Sequence, residues 1–441
     1  MARIEDFFQV RQAGSTFRRE ALAGLTTFLA MAYILFVNPA VLSRTGMDFG
    51  AVFTATCLSA AAATLIMGVW ANFPVALAPG MGQNFFFLTV VTGMGIAWQK
   101  ALGAVFISGV VFLALTVTRA RAWIIEMMPD ALKQGIAAGI GLFIALIGLV
   151  NAGVVTQHPT GLLRVGHIAA PAPLLAFLGL AVTAALAARR VSGAILAGIG
   201  VSTVAAAGLG LVRFEGFMSA PPSLAPTFLR MDLTGLMDRT VAPVILVFLY
   251  MALFDAVGTL VAVGGQAGLM KDGKLMRAER ALAADATGTV VGAALGTSTV
   301  TAYVESAAGI EAGGRTGLTS VVTACLLAAS LFFAPLVRMI GGGVPVEGGA
   351  PLHPLTAPAL ILVGAMMARG FTRIRWDDLT ETLPAFLVMV GIPFTFSIAD
   401  GLALGFIAYP SLKLLAGRGR EVPWPIYVLG GLFAARFLIP A

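Results

Sequence analysis

The stretch "GTSTVTAYVESAAGIEAGGRTG", residues 296–317, decides how the rest of this chain is interpreted. Small and β-branched residues surround one carboxylate, Glu305, and the apolar run 318–336 follows closely. "TSTVT" favours extended backbone because β-branched side chains fit strands, and "YVESAAG" is typical of a helix start. Because an unpaired charge in apolar surroundings is costly, Glu305 needs a specific explanation.

The composition around this stretch predicts a polytopic, all-α membrane protein. Of 441 residues, 59% are hydrophobic and only 11% are charged, whereas soluble proteins carry about 25% charged residues. Apolar runs long enough to cross a bilayer recur throughout, and the alternating segments typical of a membrane β-barrel are missing from the sequence. The first run, 21–37, has no small-residue cleavage site behind it, so we expect it to remain as a span.

The apolar runs group into seven spans, a polar interval and seven more spans. The first seven lie at about 20–40, 51–71, 76–88, 100–118, 133–151, 170–188 and 192–212. After the polar interval 213–241 come 242–264, 279–295, 301–312, 316–336, 354–369, 380–397 and 400–416. A further apolar segment, 424–440, is either an extra span or an interfacial helix.

The third and tenth spans are short and interrupted. The third reads "PVALAPGMGQNFFFLTVV", with Pro and Gly inside it, and the tenth is the opening stretch. An odd number of spans per half makes the two halves inverted in the membrane. Interrupted spans at matching positions of inverted halves indicate the binding site of a transporter, since non-helical backbone at membrane depth must be buried in protein or line a cavity.

The basic residues predict the orientation. With the N-terminus in the cytoplasm, 20 of the 28 Lys and Arg residues fall in cytoplasmic segments, as the positive-inside rule requires. The same bias explains the pI of about 9.8 without a nucleic-acid partner. We therefore expect a multi-pass protein of the plasma (inner) membrane.

Two carboxylates in apolar surroundings are the first candidates for function, since such groups are usually functional. Asp255 lies in the middle of the eighth span, and either forms a hydrogen bond to a neighbouring helix or serves as a proton-titrating or substrate-binding group. Glu305 either caps a half-helix or accepts paired N–H groups of a ligand. Asp285 and Asp400 are expected to have structural roles, the latter as a helix N-cap.

The third span supplies the matching polar group. Asn84 in "PGMGQNFFF" offers a donor and an acceptor together, and Gly82 would let a ligand approach the backbone. Phe85 and Phe254 are candidates for stacking, although a Phe run in a membrane protein more often faces the core or lipid. Tyr303, beside Glu305, completes the candidate binding residues.

Other chemistry is not supported by the sequence. The two cysteines, Cys57 and Cys325, have no metal or disulfide spacing, and His158, His167 and His353 fall in predicted loops. There is no Walker loop, and no nucleophile motif or metal motif accompanies the buried acids. We therefore expect neither an enzyme nor a resident cofactor.

Four segments carry a family resemblance: "GLTTFLAMAYILFVNPAVL" (24–42), "ALAPGMGQNFFF" (76–87), the long block from Phe254 to Ala324, and 359–409. They resemble the adenine/guanine/hypoxanthine permeases, the AzgA-like branch of the nucleobase–cation symporter-2 (nucleobase/ascorbate transporter) superfamily. The resemblance covers nearly the whole chain. Many members have Leu or Glu where this chain has Gln83, and the segment 424–440 goes beyond the family's fourteen spans.

The resemblance implies a domain organisation. It implies that the two groups of seven spans, 1–212 and 242–416, are inverted repeats. The sequence itself predicts an extracytoplasmic linker, 213–241, between them and a C-terminal apolar segment, 417–441. Spans 1–4 and 8–11 would form a core domain, and spans 5–7 and 12–14 a gate domain. Assembly into a homodimer is a further expectation.

The resemblance also implies that the carboxylates of spans eight and ten bind a purine, with the Gly and Asn of span three. These positions are Asp255, Glu305, Gly82 and Asn84. The expected activity is import of purine nucleobases, coupled to H⁺ through Asp255 or Glu305. The alternative is transport of an anion or another heterocycle by the same fold; two carboxylates argue against an anion, and spans three and ten differ too much for a repeated channel filter.

Overall fold

The computed structural model describes residues 2–118, 129–158, 163–235, 238, 240–271, 274–346 and 351–438. Three arginines of the charge count, Arg119, Arg121 and Arg239, and the last residues of the segment 424–440 lie outside these ranges. The regular secondary structure of the described chain is mostly helical, as its composition predicts.

The first half contains nine described helices and three strands. The helices are α1 (Ala2–Phe7), α2 (Phe17–Met31), α3 (Ile34–Leu42), α4 (Phe49–Ile66), α5 (Met81–Thr92), α6 (Trp98–Val117), α7 (Asp130–Asn151), α8 (Pro171–Ala188) and α9 (Ala194–Gly208). The strands are β1 (Leu77–Pro79), β2 (Val155–Gln157) and β3 (Leu163–Val165). A π-helical turn, Met67–Ala71, extends α4.

The second half continues with nine described helices and three strands. The helices are α10 (Ala242–Gln266), α11 (Ala278–Leu295), α12 (Ser306–Glu311), α13 (Gly317–Ala329), α14 (Ala334–Gly341), α15 (Ala357–Ala368), α16 (Leu379–Thr395), α17 (Ile398–Leu415) and α18 (Trp424–Leu438). The strands are β4 (Met270–Lys271), β5 (Lys274–Leu275) and β6 (Val300–Ala302). The described residues of the polar interval between α9 and α10 form turns and irregular backbone.

Seven helical stretches of the described chain are long and apolar enough to cross a membrane. They are Phe17–Thr45, Phe49–Ala71, Trp98–Val117, Asp130–Asn151, Pro171–Ala188, Ala242–Gln266 and Gly317–Gly341. Each coincides with one of the predicted spans. Since a helix of about 20 apolar residues matches the bilayer core, this confirms a multi-pass membrane protein.

The chain divides into two compact units. The first contains Met1–Val117 and Asn151–Ala359, and the second contains Thr118–Val150 and Leu360–Ala441. In the first unit α4 packs closely on α11: a Cβ at Gly288 would lie 2.8 Å from the Ala63 side chain. In the second unit α7 packs on α15, where a Cβ at Gly141 would lie 2.6 Å from the Gly364 carbonyl oxygen. Small residues thus allow close helix packing inside each unit.

An ion-pair cluster ties together the helix ends of the second unit. The buried Lys413 Nζ lies 2.8 Å from Glu381 Oε1 and 3.0 Å from Glu421 Oε2. Arg418 donates Nε–H to Glu421 Oε1 at 2.8 Å and Nη2–H to Oε2 at 2.9 Å. The two cations, Arg418 first, lower the pKa of Glu421 to about 2. Glu421 therefore stays ionised at neutral pH and holds the segment that leads into α18.

Candidate functional site

The centre of the first unit is a short antiparallel pairing of β1 and β6. Leu77 pairs with Ala302 and Pro79 with Val300. One hydroxyl anchors each strand to a neighbouring helix: Thr64 donates to Leu77 O at 3.0 Å and Thr289 donates to Val300 O at 2.8 Å. The two extended segments therefore satisfy each other's backbone hydrogen-bonding groups, as non-helical backbone among apolar helices must.

Glu305 stands immediately before α12, as the sequence predicts. It occupies the N-cap position, but its side chain makes no capping hydrogen bond. Its Oε1 accepts a hydrogen bond of 2.6 Å from the Tyr33 hydroxyl, which lies at the junction of α2 and α3. The residue is only half-buried. The carboxylate therefore does not cap this helix, and the remainder of its acceptor capacity is available to a ligand.

Asp255 lies in the middle of α10 and is also half-buried. Its Oδ2 accepts a hydrogen bond of 3.1 Å from Nε2 of Gln83, at the start of α5. The carboxyl groups of Asp255 and Glu305 are close enough to interact electrostatically. The structure thus brings together the two acids chosen from the sequence, which are 50 positions apart, and gives each a neutral donor.

Asn84 is fully buried in the first turn of α5. Its Oδ1 accepts a hydrogen bond from the Ser298 hydroxyl, whereas its Nδ2 has no partner among the described residues. The buried Gly82 precedes it by two positions. A buried amide N–H without a partner costs about 1–3 kcal/mol, so this donor is suited to a ligand or an internal water.

The aromatic candidates have different environments. Phe85 is fully buried. Phe254 is half-buried and stacks on Tyr250, with ring centroids 6.0 Å apart and an interplanar angle of 6°. Tyr303 is 5% exposed and donates its hydroxyl to Pro79 O at 2.5 Å, which links β1 to the residue after β6.

The other acids have structural partners. Asp285 is fully buried, and its Oδ1 accepts from the Ala302 amide at 2.7 Å, so it holds β6. The prediction that Asp400 is the N-cap of its helix is wrong. The Ser397 hydroxyl caps α17 by accepting a hydrogen bond of 3.2 Å from the Asp400 amide. Arg315 donates to the backbone carbonyls of Ile310 and Gly314.

Glu20 joins the N-terminal ends of two helices. It is fully buried on α2, and its carboxylate accepts from the Arg315 amide at 3.1 Å, the Thr316 amide at 3.3 Å and the Thr319 hydroxyl at 2.5 Å. Three donors at the start of α13 satisfy this carboxylate. Charge near a helix N-terminus is favourable, so Glu20 fastens α2 to α13.

Three site residues were missed by the sequence reasoning: Tyr33, Gln83 and Ser298. Each contacts a predicted site residue from a distant part of the chain, at separations of 272, 172 and 214 positions. The position of Gln83 next to Asn84 could have indicated that it belongs to the site. No local sequence pattern indicates this for Tyr33 or Ser298. No group of acids, His and Cys suited to a metal ion occurs among the described residues.

The fold is shared with a solved membrane transporter. The transmembrane domain of a cyanobacterial bicarbonate transporter, BicA, matches 88% of this chain and 98% of its own length, with a TM-score of 0.63 at 15% identity. At that identity the likeness concerns the fold alone. The fold and the apolar helices therefore define a helical, multi-pass membrane protein.

Sequence comparison then gives the family. The Xan_ur_permease model, described as "Permease family", matches residues 18–404, and the chain belongs to this family. Adenine permease AdeP of Escherichia coli is 43% identical over 99% of this chain and 96% of its own. Guanine/hypoxanthine permease PbuG of Bacillus subtilis is 44% identical over 99% of each chain. These relatives are permeases rather than enzymes and confirm the resemblance.

Proposed function

We propose that this protein imports purine nucleobases across the plasma (inner) membrane by proton symport. The observation that carries the proposal is the pair of half-buried carboxylates, Asp255 and Glu305, each holding one neutral donor beside the β1–β6 pairing. Relatives that match nearly the full chain carry the names adenine permease and guanine/hypoxanthine permease. A purine presents N–H groups that such carboxylates can accept.

Each site residue has a distinct role in this proposal. Glu305 accepts purine N–H groups, and Asp255 binds the ligand or carries the coupling proton. Asn84 donates its amide N–H to a ring acceptor, and Gly82 allows close approach to the backbone. A purine that presents the wrong edge leaves a buried donor or acceptor unpaired, at a cost of about 1–3 kcal/mol.

The aromatic residues complete the site. Phe254 supplies a stacking face for the ring because it is half-buried, whereas the fully buried Phe85 supports the wall from behind. Tyr303 holds the strands together through Pro79 O and limits the depth of the site. Offset stacking on an aromatic ring contributes roughly 0.5–1.5 kcal/mol beyond area burial.

The proposed architecture has fourteen spans in two inverted repeats, 1–212 and 242–416, with discontinuous spans three and ten. The N-terminus is cytoplasmic, as the distribution of Lys and Arg supports. Spans 1–4 and 8–11 form a core that carries the site, and spans 5–7 and 12–14 form a gate, so that relative movement gives alternating access. A homodimer is part of this proposal.

Transport of an anion by the same fold is the alternative, because a bicarbonate transporter shares the fold. An anion would meet two carboxylates at the site, and like charges in a low dielectric repel strongly. The site therefore favours a neutral heterocycle over an anion.

The test is uptake of labelled hypoxanthine, guanine and adenine into cells without purine carriers of their own. Wild type is compared with Glu305→Gln and Asp255→Asn, with and without a protonophore, at equal membrane abundance. Glu311→Gln is a matched control because this exposed residue of α12 lies only six positions from Glu305. We expect wild type to take up purines and the protonophore to abolish this uptake. Uptake should fall at least tenfold in Glu305→Gln and Asp255→Asn but not in Glu311→Gln.

The outcomes separate the parts of the proposal. Uptake that resists the protonophore and requires Na⁺ would keep the purine substrate and replace the coupling ion. Membrane-inserted wild type that takes up bicarbonate but none of the purines would refute the purine proposal.

A further inference from the structure

Gln83 makes a direct contact with one of the two site carboxylates. Its Nε2 donates to Asp255 Oδ2 at 3.1 Å, and this is the side-chain hydrogen bond that the described chain shows for Gln83. The glutamine side chain is 2% exposed, whereas Asp255 is half-buried. The contact therefore lies behind the carboxylate, on its buried side, and leaves Oδ1 as the oxygen that a ligand can reach.

The backbone is built to hold Gln83 in this position. A Cβ at Gly80 would lie 2.9 Å from Cδ of Gln83 and 2.9 Å from the Thr301 side chain, closer than real Cβ atoms approach. Because glycine has no side chain, position 80 leaves room for the Gln83 side chain to fold back over the end of β1. The glutamine side chain is thus confined between the strand pairing and Asp255, so its orientation is fixed before a ligand arrives.

We propose that Gln83 is a positioning residue that makes the site select 6-oxopurines over adenine. This inference rests on the proposed function. With Oδ2 held by an amide N–H, the Asp255 carboxylate presents Oδ1 as a fixed acceptor. A 6-oxopurine offers the N1–H donor to such an acceptor, whereas adenine has a lone pair at N1. The lone pair of adenine would face the lone pairs of Oδ1.

A side chain without an N–H donor at position 83 would no longer fix the orientation of the Asp255 carboxylate. With Leu there, both oxygens of Asp255 would be free, and the carboxyl group could turn or, once protonated, donate to a ring nitrogen. Discrimination that rests on a polar group left unpaired is stronger than discrimination by shape alone. The selectivity between the two purine edges should therefore depend on the amide of Gln83.

The experiment measures KM and Vmax for hypoxanthine and adenine uptake in wild type, Gln83→Leu and Gln83→Asn. The Asn amide is one methylene shorter and cannot span the distance to Asp255, yet it keeps a polar group. We expect wild type to prefer hypoxanthine. The ratio of the adenine KM to the hypoxanthine KM should fall roughly tenfold in both variants with Vmax little changed, since a hydrogen bond to a charged group has about this effect.

Gln134→Leu is the matched control, since it makes the same exchange on α7, in the second unit. A merely structural role for Gln83 would change Vmax or abundance and leave the KM ratio constant. A ratio within twofold of wild type in a membrane-inserted Gln83 variant overturns the inference, and Gln83→Asn decides if Gln83→Leu does not reach the membrane. Wild type that prefers adenine overturns the inference but not purine transport; wild type without purine uptake overturns both.

Discussion

Replacing Tyr33 with Phe removes one hydroxyl from the site and keeps the ring that fills the space between α2 and α3. Tyr33 is 1% exposed, and its hydroxyl donates to Glu305 Oε1 at 2.6 Å. Because Phe has nearly the same volume, the helix packing should persist. The variant therefore isolates the contribution of this single donor to substrate binding by Glu305.

The size of the effect follows from the type of bond. A short hydrogen bond to a charged group contributes about 1.5–3 kcal/mol, and each 1.4 kcal/mol corresponds to about a tenfold change. Without the donor, Glu305 loses its fixed orientation and is left with an unpaired oxygen. We expect Vmax/KM for hypoxanthine to fall between about 10-fold and 100-fold, chiefly through KM.

The assay is initial-rate uptake normalised to the amount of protein in the membrane. Tyr427→Phe is the matched control because that hydroxyl donates to Gly419 O at 2.9 Å in the second unit. The control should transport within twofold of wild type. Unchanged Vmax/KM in well-inserted Tyr33→Phe, or a loss equal to that of the control, would refute the assignment of Tyr33 to the site.

Three further predictions concern stability in detergent, read as the thermal midpoint of the monodisperse protein. Glu20→Gln should lower the midpoint by several degrees, because the buried carboxylate loses its charge-assisted hydrogen bonds, including that of 2.5 Å from the Thr319 hydroxyl; an unchanged midpoint would contradict this. Gly24→Ala should also lower the thermal midpoint, since a Cβ there would lie 2.7 Å from Thr319 O and overpacking costs about 1–3 kcal/mol. An unchanged midpoint would show that α2 can shift to make room for the methyl group. The difference in midpoint between wild type and Arg418→Gln should be constant above pH 5 and shrink towards pH 3. Both carboxylates that pair with Arg418, Glu421 and Asp378, have lowered pKa values, that of Glu421 being about 2 against an ordinary value of about 4.3. A constant difference at acid pH would contradict both pairings.

The sequence predicted the helices well where hydrophobicity alone determines them. The predicted span 242–264 became Ala242–Gln266 and the predicted span 133–151 became Asp130–Asn151. Length and apolar composition define such a helix without knowledge of its neighbours. The extended stretch around residue 300 was also visible locally, from its β-branched residues.

The contacts between distant residues could not be predicted in this way. Local patterns identified Asp255 and Glu305 as buried acids, but the donors to them come from other helices. Tyr33 is an aromatic residue in an apolar run, and the sequence gives no sign that its hydroxyl turns inward. Asp400 shows the opposite error: an acid at a helix start suggested a cap, yet Asp400 lies inside the first turn, and Ser397, immediately before α17, takes that role.

The strand pairing has a consequence for how the protein is made. The polar backbone of Leu77–Pro79 finds its partners in Val300–Ala302, and Tyr303 bonds to Pro79 across 224 positions. During synthesis the ribosome exposes the first strand long before the second exists, while unpaired peptide groups are costly in lipid. The amino-terminal half must therefore be sheltered by water, the insertion machinery or a chaperone until the other half arrives. The two strands therefore pair only after both halves of the chain have been inserted into the membrane. Truncated products that lack the second half should be substrates for membrane quality-control proteases.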